Sequence, residues 1–165
     1  MKFGLSQKIG LITGIVMVAT SAIAFYGFHV PYQSKFPIVL YSIYTSGILL
    51  ALILFHKQSA AVKFKDYFSE GFKTFIIAVL LIVIYTFVFV KTNPHMIDGF
   101  IEENNKQLAA QGNRTAAEIS ANANSIRSMF LLTMVTGTMV IYLIIGALVS
   151  VIAAGFLSQQ KNNPV

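Results

Sequence analysis

Cysteine and tryptophan are both absent from the 165 residues, and charged side chains make up only 11%. Without cysteine there is no disulfide framework, no thiolate metal site and no cysteine nucleophile. Without tryptophan, anchoring at a membrane interface falls to the 7 tyrosines and 14 phenylalanines. The shortage of charge excludes more. A soluble domain carries about 25% charged residues. A chain that is 56% hydrophobic, with a mean hydropathy of +0.71, cannot cover a water-facing surface, so its composition places it in a membrane class. The net charge of +6 does not imply nucleic acid, because the basic residues are spread over short segments beside apolar runs rather than gathered into a patch.

What is present is long and apolar. A bilayer core about 30 Å thick needs roughly 20 mostly apolar residues to cross it as a helix. Four stretches meet that length: Ile9–Val30, Pro37–Phe55, Phe72–Val90 and Phe130–Leu157. None carries Asp, Glu, Lys or Arg beyond its terminal turns. The expected fold is therefore all-α, a multi-pass integral membrane protein with four transmembrane helices forming a single domain over residues 1–165.

Orientation follows from the basic flanks. Lys2, Lys8, Lys57, Lys63, Lys65, Lys73 and Lys161 fall on one side, and Lys35, Lys91, Lys106, Arg114 and Arg127 on the other. Lys106 and Arg114 sit far from the spans, so the bias near the membrane is stronger than the raw count, and it puts both termini in the cytoplasm. The opening "MKFGLSQK" with Ala22-Ile23-Ala24 has the outline of a secretory signal, but the apolar run continues to Val30, so an uncleaved first span is expected.

Four of the six acidic residues, Asp98, Glu102, Glu103 and Glu118, fall between the third and fourth spans. This segment, residues 91–128, is expected to be an extracytoplasmic amphipathic helical hairpin. Asn93-Pro94 opens its first helix, with Asn as the cap and Pro in the first turn. Ile97, Phe100, Ile101 and Leu108 form an apolar stripe, and 18 residues of helix would span about 27 Å. Gly112 ends it. Thr115 and Glu118 have capping-box spacing for a second helix, which carries Ala116, Ile119, Ala123 and Ile126 and runs on into the fourth span. The stripe is too thin for a core of its own and must lie on the bilayer, on the second helix or on another protein. Ile97, Phe100, Ile101, Leu108, Ile119 and Ile126 are the expected partner or interface contacts.

The short segment "HKQSAAVKFKDYFSEGFK" places Phe64, Tyr67, Phe68 and Phe72 at helical spacing and reads as an aromatic anchor leading into the third span. Small residues recur four apart at Gly10 and Gly14, at Gly47 and Ala51, and at Gly146, Ser150 and Ala154, which is the spacing that lets helix backbones approach closely. Tyr142, deep in the fourth span, needs a hydrogen-bond partner.

No sequence motif of a nucleophile elbow, phosphate loop, dinucleotide fold or zincin helix occurs. Neither an enzyme nor a cofactor is expected, and no metal. The one weak metal candidate is His95, Asp98 and Glu102, which share a helical face. Asn113-Arg114-Thr115 matches an acceptor triplet for N-glycosylation, a pattern common by chance.

The aromatic-basic approach "FKDYFSEGFKT", the sequence Tyr85-Thr86-Phe87 followed by Asn93-Pro94, the acidic and glutamine-containing helix and the glycine- and alanine-containing last span together resemble a family of small four-helix membrane proteins of Bacteroidota, domain-of-unknown-function family 4199. That resemblance implies topology and host class and no activity. It also implies an association with lipid-linked sugar transfer and cell-envelope biogenesis. Two functions are expected from the whole. The first is a non-enzymatic inner-membrane accessory or scaffolding subunit in contact with membrane lipids, and with a second copy or another membrane protein. The alternative is a small oligomeric channel or carrier for a neutral or lipidic solute, whose hydroxyl-bearing faces at Ser46, Thr86, Thr133 and Thr136 would converge on one cavity.

Overall fold

The computed structural model describes residues 4–28, 36–59 and 63–162, the last two without their side chains. His29, Val30, Lys2 and Lys35, and the side chain of Lys161, lie outside the described residues. Helix α1 spans Leu5–Ala22 and continues as a π-helical segment over Ile23–Gly27. Helices α2 to α5 cover Pro37–Gln58, Phe64–Thr92, His95–Ala110 and Ala116–Asn162. Every element among the described residues is helical. Four helices are long and apolar enough to cross a membrane, over Leu5–Gly27, Pro37–Gln58, Phe64–Thr92 and Ala116–Gln160. The chain is a multi-pass membrane protein.

The helix ends follow the local chemistry. Gln7 reaches back to accept the Gly4 N–H at 2.9 Å, which satisfies one orphan donor at the start of α1. Pro37 opens α2, where its missing N–H costs nothing, and His56 and Lys57 sit in the last turn, facing the negative end of the helix dipole. Asp66 accepts the Lys63 N–H at 2.9 Å and starts α3.

The boundary between α3 and α4 differs from expectation. Pro94 has no N–H to give the carbonyl of residue 90, so the α3 ladder stops there. Asn93 serves both helices: its side-chain Nδ2 donates backwards to the Phe89 carbonyl at 2.9 Å, beside its own N–H at 3.1 Å, while its carbonyl accepts the Met96 N–H of α4 at 3.1 Å. Helix α4 begins at His95, one residue later than expected, and its 16 residues span about 24 Å.

The turn after α4 is as expected. Gly112 takes a φ of +68°, a conformation that costs other residues a steric penalty. Thr115 and Glu118 form the capping box, with the Thr115 N–H on Glu118 Oε2 at 2.8 Å and the Glu118 N–H on Thr115 Oγ1 at 3.3 Å. Helix α5 then runs unbroken for 47 residues.

The chain divides into two compact units. The larger comprises the described residues of Met1–Val83 and Met139–Val165, and the smaller Ile84–Thr138. The segment outlined from sequence as 91–128 falls inside the smaller unit, which also takes in the last turns of α3 and additional turns of α5.

In the larger unit, Met17, Tyr44, Ile48, Ala51, Leu52, Tyr67, Phe75, Ala78 and Ala154 are buried, while Ile12, Ile15, Leu50, Leu80, Ile144, Leu148 and Ile152 are exposed. Large aliphatic side chains thus point outward, and small or hydroxyl-bearing ones occupy much of the interior. That inversion suits helices whose outer faces meet lipid, where close backbone approach rather than water exclusion drives association.

Candidate functional site

Two arrangements hold the polar chemistry of the described residues, one in each unit.

In the larger unit, glycine and hydroxyl side chains set four helix contacts. At Gly10 on α1, a Cβ would collide with the backbone carbonyl of Thr74 on α3. At Gly14, one would meet Leu81 Cδ1 at 2.5 Å and the Ala78 Cα at 3.2 Å. At Gly47 on α2, the obstacle is the side chain of Thr13 on α1. At Gly71 on α3, a Cβ would lie 2.6 Å from Ser150 Oγ on α5, and at Gly146 on α5 it would strike the Tyr44 hydroxyl from α2 and Phe75 from α3. Together these contacts join α1 to α2 and α3, and α5 to α2 and α3.

Gly10, Gly14, Gly47, Ala51, Gly146, Ser150 and Ala154 are all buried. Gly71 belongs with them, and sequence reasoning missed it. The available signal was the run Gly71, Thr74 and Ala78, small residues spaced by three and then four along one face of α3, where only a strict spacing of four had been sought. Tyr142 finds its setting here too: the Tyr44 hydroxyl donates to the Tyr142 carbonyl at 2.9 Å, and the two rings meet edge to face at 5.1 Å.

The end of this unit where α1 and α3 begin and α2 finishes is polar. Ser6 donates its hydroxyl to the Glu70 carboxylate. Thr74 donates to both the Ser6 carbonyl at 3.2 Å and the Glu70 carbonyl at 3.0 Å. Lys73 pairs with Glu70 at 2.6 Å. His56 Nδ1 shares a 2.6 Å hydrogen bond with the Tyr67 hydroxyl.

Tyr67 therefore departs from the expected aromatic anchor. It is fully buried, stacked against His56 and edge-on to Phe55. Phe64 and Phe72, on the neighbouring face, are the exposed aromatics. The reason lies in helix geometry: Phe64, Phe68 and Phe72 repeat every four residues, whereas residue 67 sits about 100° round the helix from residue 68.

In the smaller unit, α4 lies antiparallel to the start of α5. Asp98 pairs with Arg127 at 2.7 Å, Asn122 donates to Asn104 at 2.8 Å, and the rings of Phe100 and Phe130 meet edge to face at 5.5 Å. The two residue numbers in each pair add to between 225 and 230, as they do for antiparallel helices, and the polar pairs Asp98–Arg127 and Asn104–Asn122 set the register. That register sets Ile101 level with Ile126, and Leu108 level with Ile119. Ile101 is buried, and Ile97, Phe100, Leu108, Ile119 and Ile126 are half-buried. Of the three surfaces open to the stripe, the second helix is one that it meets, through the Phe100–Phe130 ring contact beside the buried Ile101.

The outer side of α4 carries Glu102, paired with Lys106 at 2.8 Å. That contact holds the Glu102 carboxyl below the usual carboxylate range and pushes Lys106 up, first through the hydrogen bond and then through the opposite charge.

Of the weak metal candidate His95, Asp98 and Glu102, Asp98 is engaged by Arg127 and Glu102 by Lys106. Among the described residues, no group of three His, Cys, Asp or Glu is placed to hold a metal ion.

Ser46, Thr133 and Thr136 are exposed, and Thr136 donates to its own helix at the Leu132 carbonyl, 2.6 Å away. Thr86 is half-buried.

A sequence profile described as "Protein of unknown function (DUF4199)" matches residues 8–159. No curated protein matches the chain, and no solved structure does.

Proposed function

The chain belongs to this family of unknown function, DUF4199, and from that premise we propose that it is a non-enzymatic accessory subunit of a bacterial inner membrane. Both termini lie in the cytoplasm, and the α4–α5 hairpin stands on the outer side as a docking element for a partner in cell-envelope biogenesis. The observation that carries this reading is the hairpin's self-sufficiency. Phe100 of α4 packs edge to face on Phe130 of α5, the turn is fixed by Gly112 and a capping box, and the flank is closed by Asp98–Arg127 and Asn104–Asn122. A polar element held in one shape by its own bonds presents a preformed surface, which spares a partner the entropy of ordering it. The orientation is supported by the lysines flanking the spans.

The docking surface in this reading is the outer face of α4, at Glu102, Lys106 and Gln107, all exposed. The apolar stripe inside the hairpin is not part of it. The carrier reading has less support, since three of its four hydroxyls, those of Ser46, Thr133 and Thr136, are exposed on their own units.

The test is a quantitative pull-down from native membranes with three chains: intact, one with residues 93–128 replaced by a flexible linker, and one with Glu102→Lys and Gln107→Lys. A stoichiometric partner lost from both altered chains supports docking through the outer face of α4. Recovery of the same proteins with all three chains refutes it.

A further inference from the structure

The polar end of the larger unit has an excess of positive charge that its own acids do not neutralise. Two acids are present at the start of α3. The Asp66 carboxylate is occupied by the Lys63 backbone N–H at 2.9 Å, and that of Glu70 by the Ser6 hydroxyl and by Lys73 at 2.6 Å. Lys8, Lys57, Lys63 and Lys65 are exposed, and none of these four ammonium groups pairs with a carboxylate among the described residues. They belong to one end of the unit: Ser6 of α1 bonds Glu70 of α3, and His56 of α2 bonds Tyr67 of α3.

Directly beside Lys63 and Lys65, the phenylalanine stripe climbs α3. Phe64 and Phe68 are stacked with ring planes 8° apart, and Phe64 and Phe72 are 44% and 45% exposed. Residues 64 to 72 cover about 12 Å along the helix axis, roughly the reach of the upper half of an acyl chain. Exposed cations at the base of an exposed apolar stripe match an amphiphile whose head is negative and whose tail is apolar.

We propose that this face binds an anionic phospholipid, with its phosphate held by Lys57, Lys63 and Lys65 and an acyl chain laid along Phe64, Phe68 and Phe72. The proposal concerns the larger unit alone and does not depend on the hairpin or on what docks there. Charge complementarity selects the occupant. A zwitterionic lipid brings its own cation to the lysines, and a free inorganic anion leaves the phenylalanine stripe uncovered.

The experiment uses the full chain in detergent. Phosphatidylglycerol and phosphatidylcholine are added separately, and retained lipid is counted by native mass spectrometry alongside the thermal unfolding midpoint. Phosphatidylglycerol is expected to bind at least about tenfold more tightly than phosphatidylcholine and to raise the midpoint. The triple variant Lys57→Gln, Lys63→Gln, Lys65→Gln is expected to lose that preference while keeping the midpoint of the lipid-free chain. The corresponding triple Lys→Arg variant keeps the preference, which separates lost charge from damaged fold. Equal retention of the two lipids by the intact chain overturns the proposal, as does an unchanged preference in the Gln triple. Displacement of phosphatidylglycerol by millimolar inorganic phosphate also overturns it, because a site that needs no acyl chain is not a lipid site.

Discussion

The Tyr44 hydroxyl crosses from α2 to donate to the main-chain carbonyl of Tyr142 on α5, 2.9 Å away, through the space that a side chain at Gly146 would occupy. Three features of the sequence make that bond: a tyrosine long enough to reach, a carbonyl on the facing helix, and a glycine one turn on that leaves the carbonyl accessible. The bond is buried at both ends. Gly146→Ala is expected to displace the hydroxyl and crowd Phe75, costing about 1–3 kcal/mol. Tyr44→Phe removes only the bond and is expected to cost less, about 1 kcal/mol. Reversible unfolding in mixed detergent micelles measures both. Equal stability of Gly146→Ala and the unaltered chain would sink the account of this crossing.

Gly10 and Gly47 separate two kinds of close contact. The neighbour of Gly10 is the Thr74 carbonyl, a piece of helix backbone, and that of Gly47 is the Thr13 side chain. Each single change to Ala should destabilise the larger unit by roughly 1–3 kcal/mol. The two differ in rescue. Truncating Thr13→Ala opens room for Gly47→Ala, and the double variant should recover most of the loss. Truncating Thr74→Ala leaves the carbonyl in place and should not rescue Gly10→Ala. A double-variant cycle at each site reads the difference.

The spans and the hairpin were legible because each rests on one dominant local cause. Twenty apolar residues without charge have few alternatives to a membrane helix, and Gly112, Thr115 and Glu118 act within a turn of themselves. Asn93 was legible only in part, because two helix ends share it: its amide donates back to the Phe89 carbonyl and its own carbonyl accepts the Met96 N–H ahead, and the backward bond has no signature in the sequence. Tyr67 was misread for a similar reason. Its place in an aromatic cluster suggested the membrane surface, whereas its partner, His56, comes from another helix and has no local signature. The apolar stripe of α4 was visible as a stripe, but what covers it depends on the register with α5. That register is set by Asn104 and Asn122, two residues 18 apart in sequence.

Ser150 contradicts the rule that a buried hydroxyl is bonded. Its side chain is fully buried, it lies so close to Gly71 that a Cβ there would be 2.6 Å from its Oγ, and no described residue bonds that Oγ. Its small size, not its hydroxyl, is then what the α3–α5 crossing requires. Ser150→Ala is expected to be neutral or to stabilise by up to about 1 kcal/mol, since it removes a polar group without a protein partner. Ser150→Val adds bulk against Gly71 and should destabilise by about 1–3 kcal/mol. Detergent unfolding of the two variants checks the order. A loss above about 1 kcal/mol on Ser150→Ala would assign the hydroxyl a bonding role.

The Glu102–Lys106 pair gives α4 a pH dependence of known sign. The Glu102 carboxyl lies below its ordinary range because Lys106 bonds it and carries the opposite charge. Its contribution is therefore present above the ordinary carboxylate range and is lost as pH falls through the lowered value. Protection of the α4 amides, after the intrinsic pH dependence of exchange is divided out, should fall on acidification into that range, and Glu102→Gln should remove that part of the response. Because both side chains are fully exposed to solvent, added salt should shrink the effect.

The hairpin register makes the strictest demand on the smaller unit. Asn104 and Asn122 meet at 2.8 Å and Asp98 and Arg127 at 2.7 Å, so both rows must close together. A slip of α4 along α5 by one turn would move the partners about 5 Å apart and separate Ile101 from Ile126. The chain has no cysteine, so two introduced ones report without background. Asn104→Cys with Asn122→Cys should be joined efficiently by a short bis-maleimide. Asn104→Cys with Met129→Cys, seven residues out of register and about 10 Å further along the axis, should not. Breaking the ion pair with Arg127→Gln should leave the first crosslink in place, because an exposed pair contributes at most about 1 kcal/mol and the apolar faces hold the rest. Equal crosslinking of the two cysteine pairs would mean that α4 slides on α5, and a sliding helix cannot offer a partner the preformed face on which docking depends.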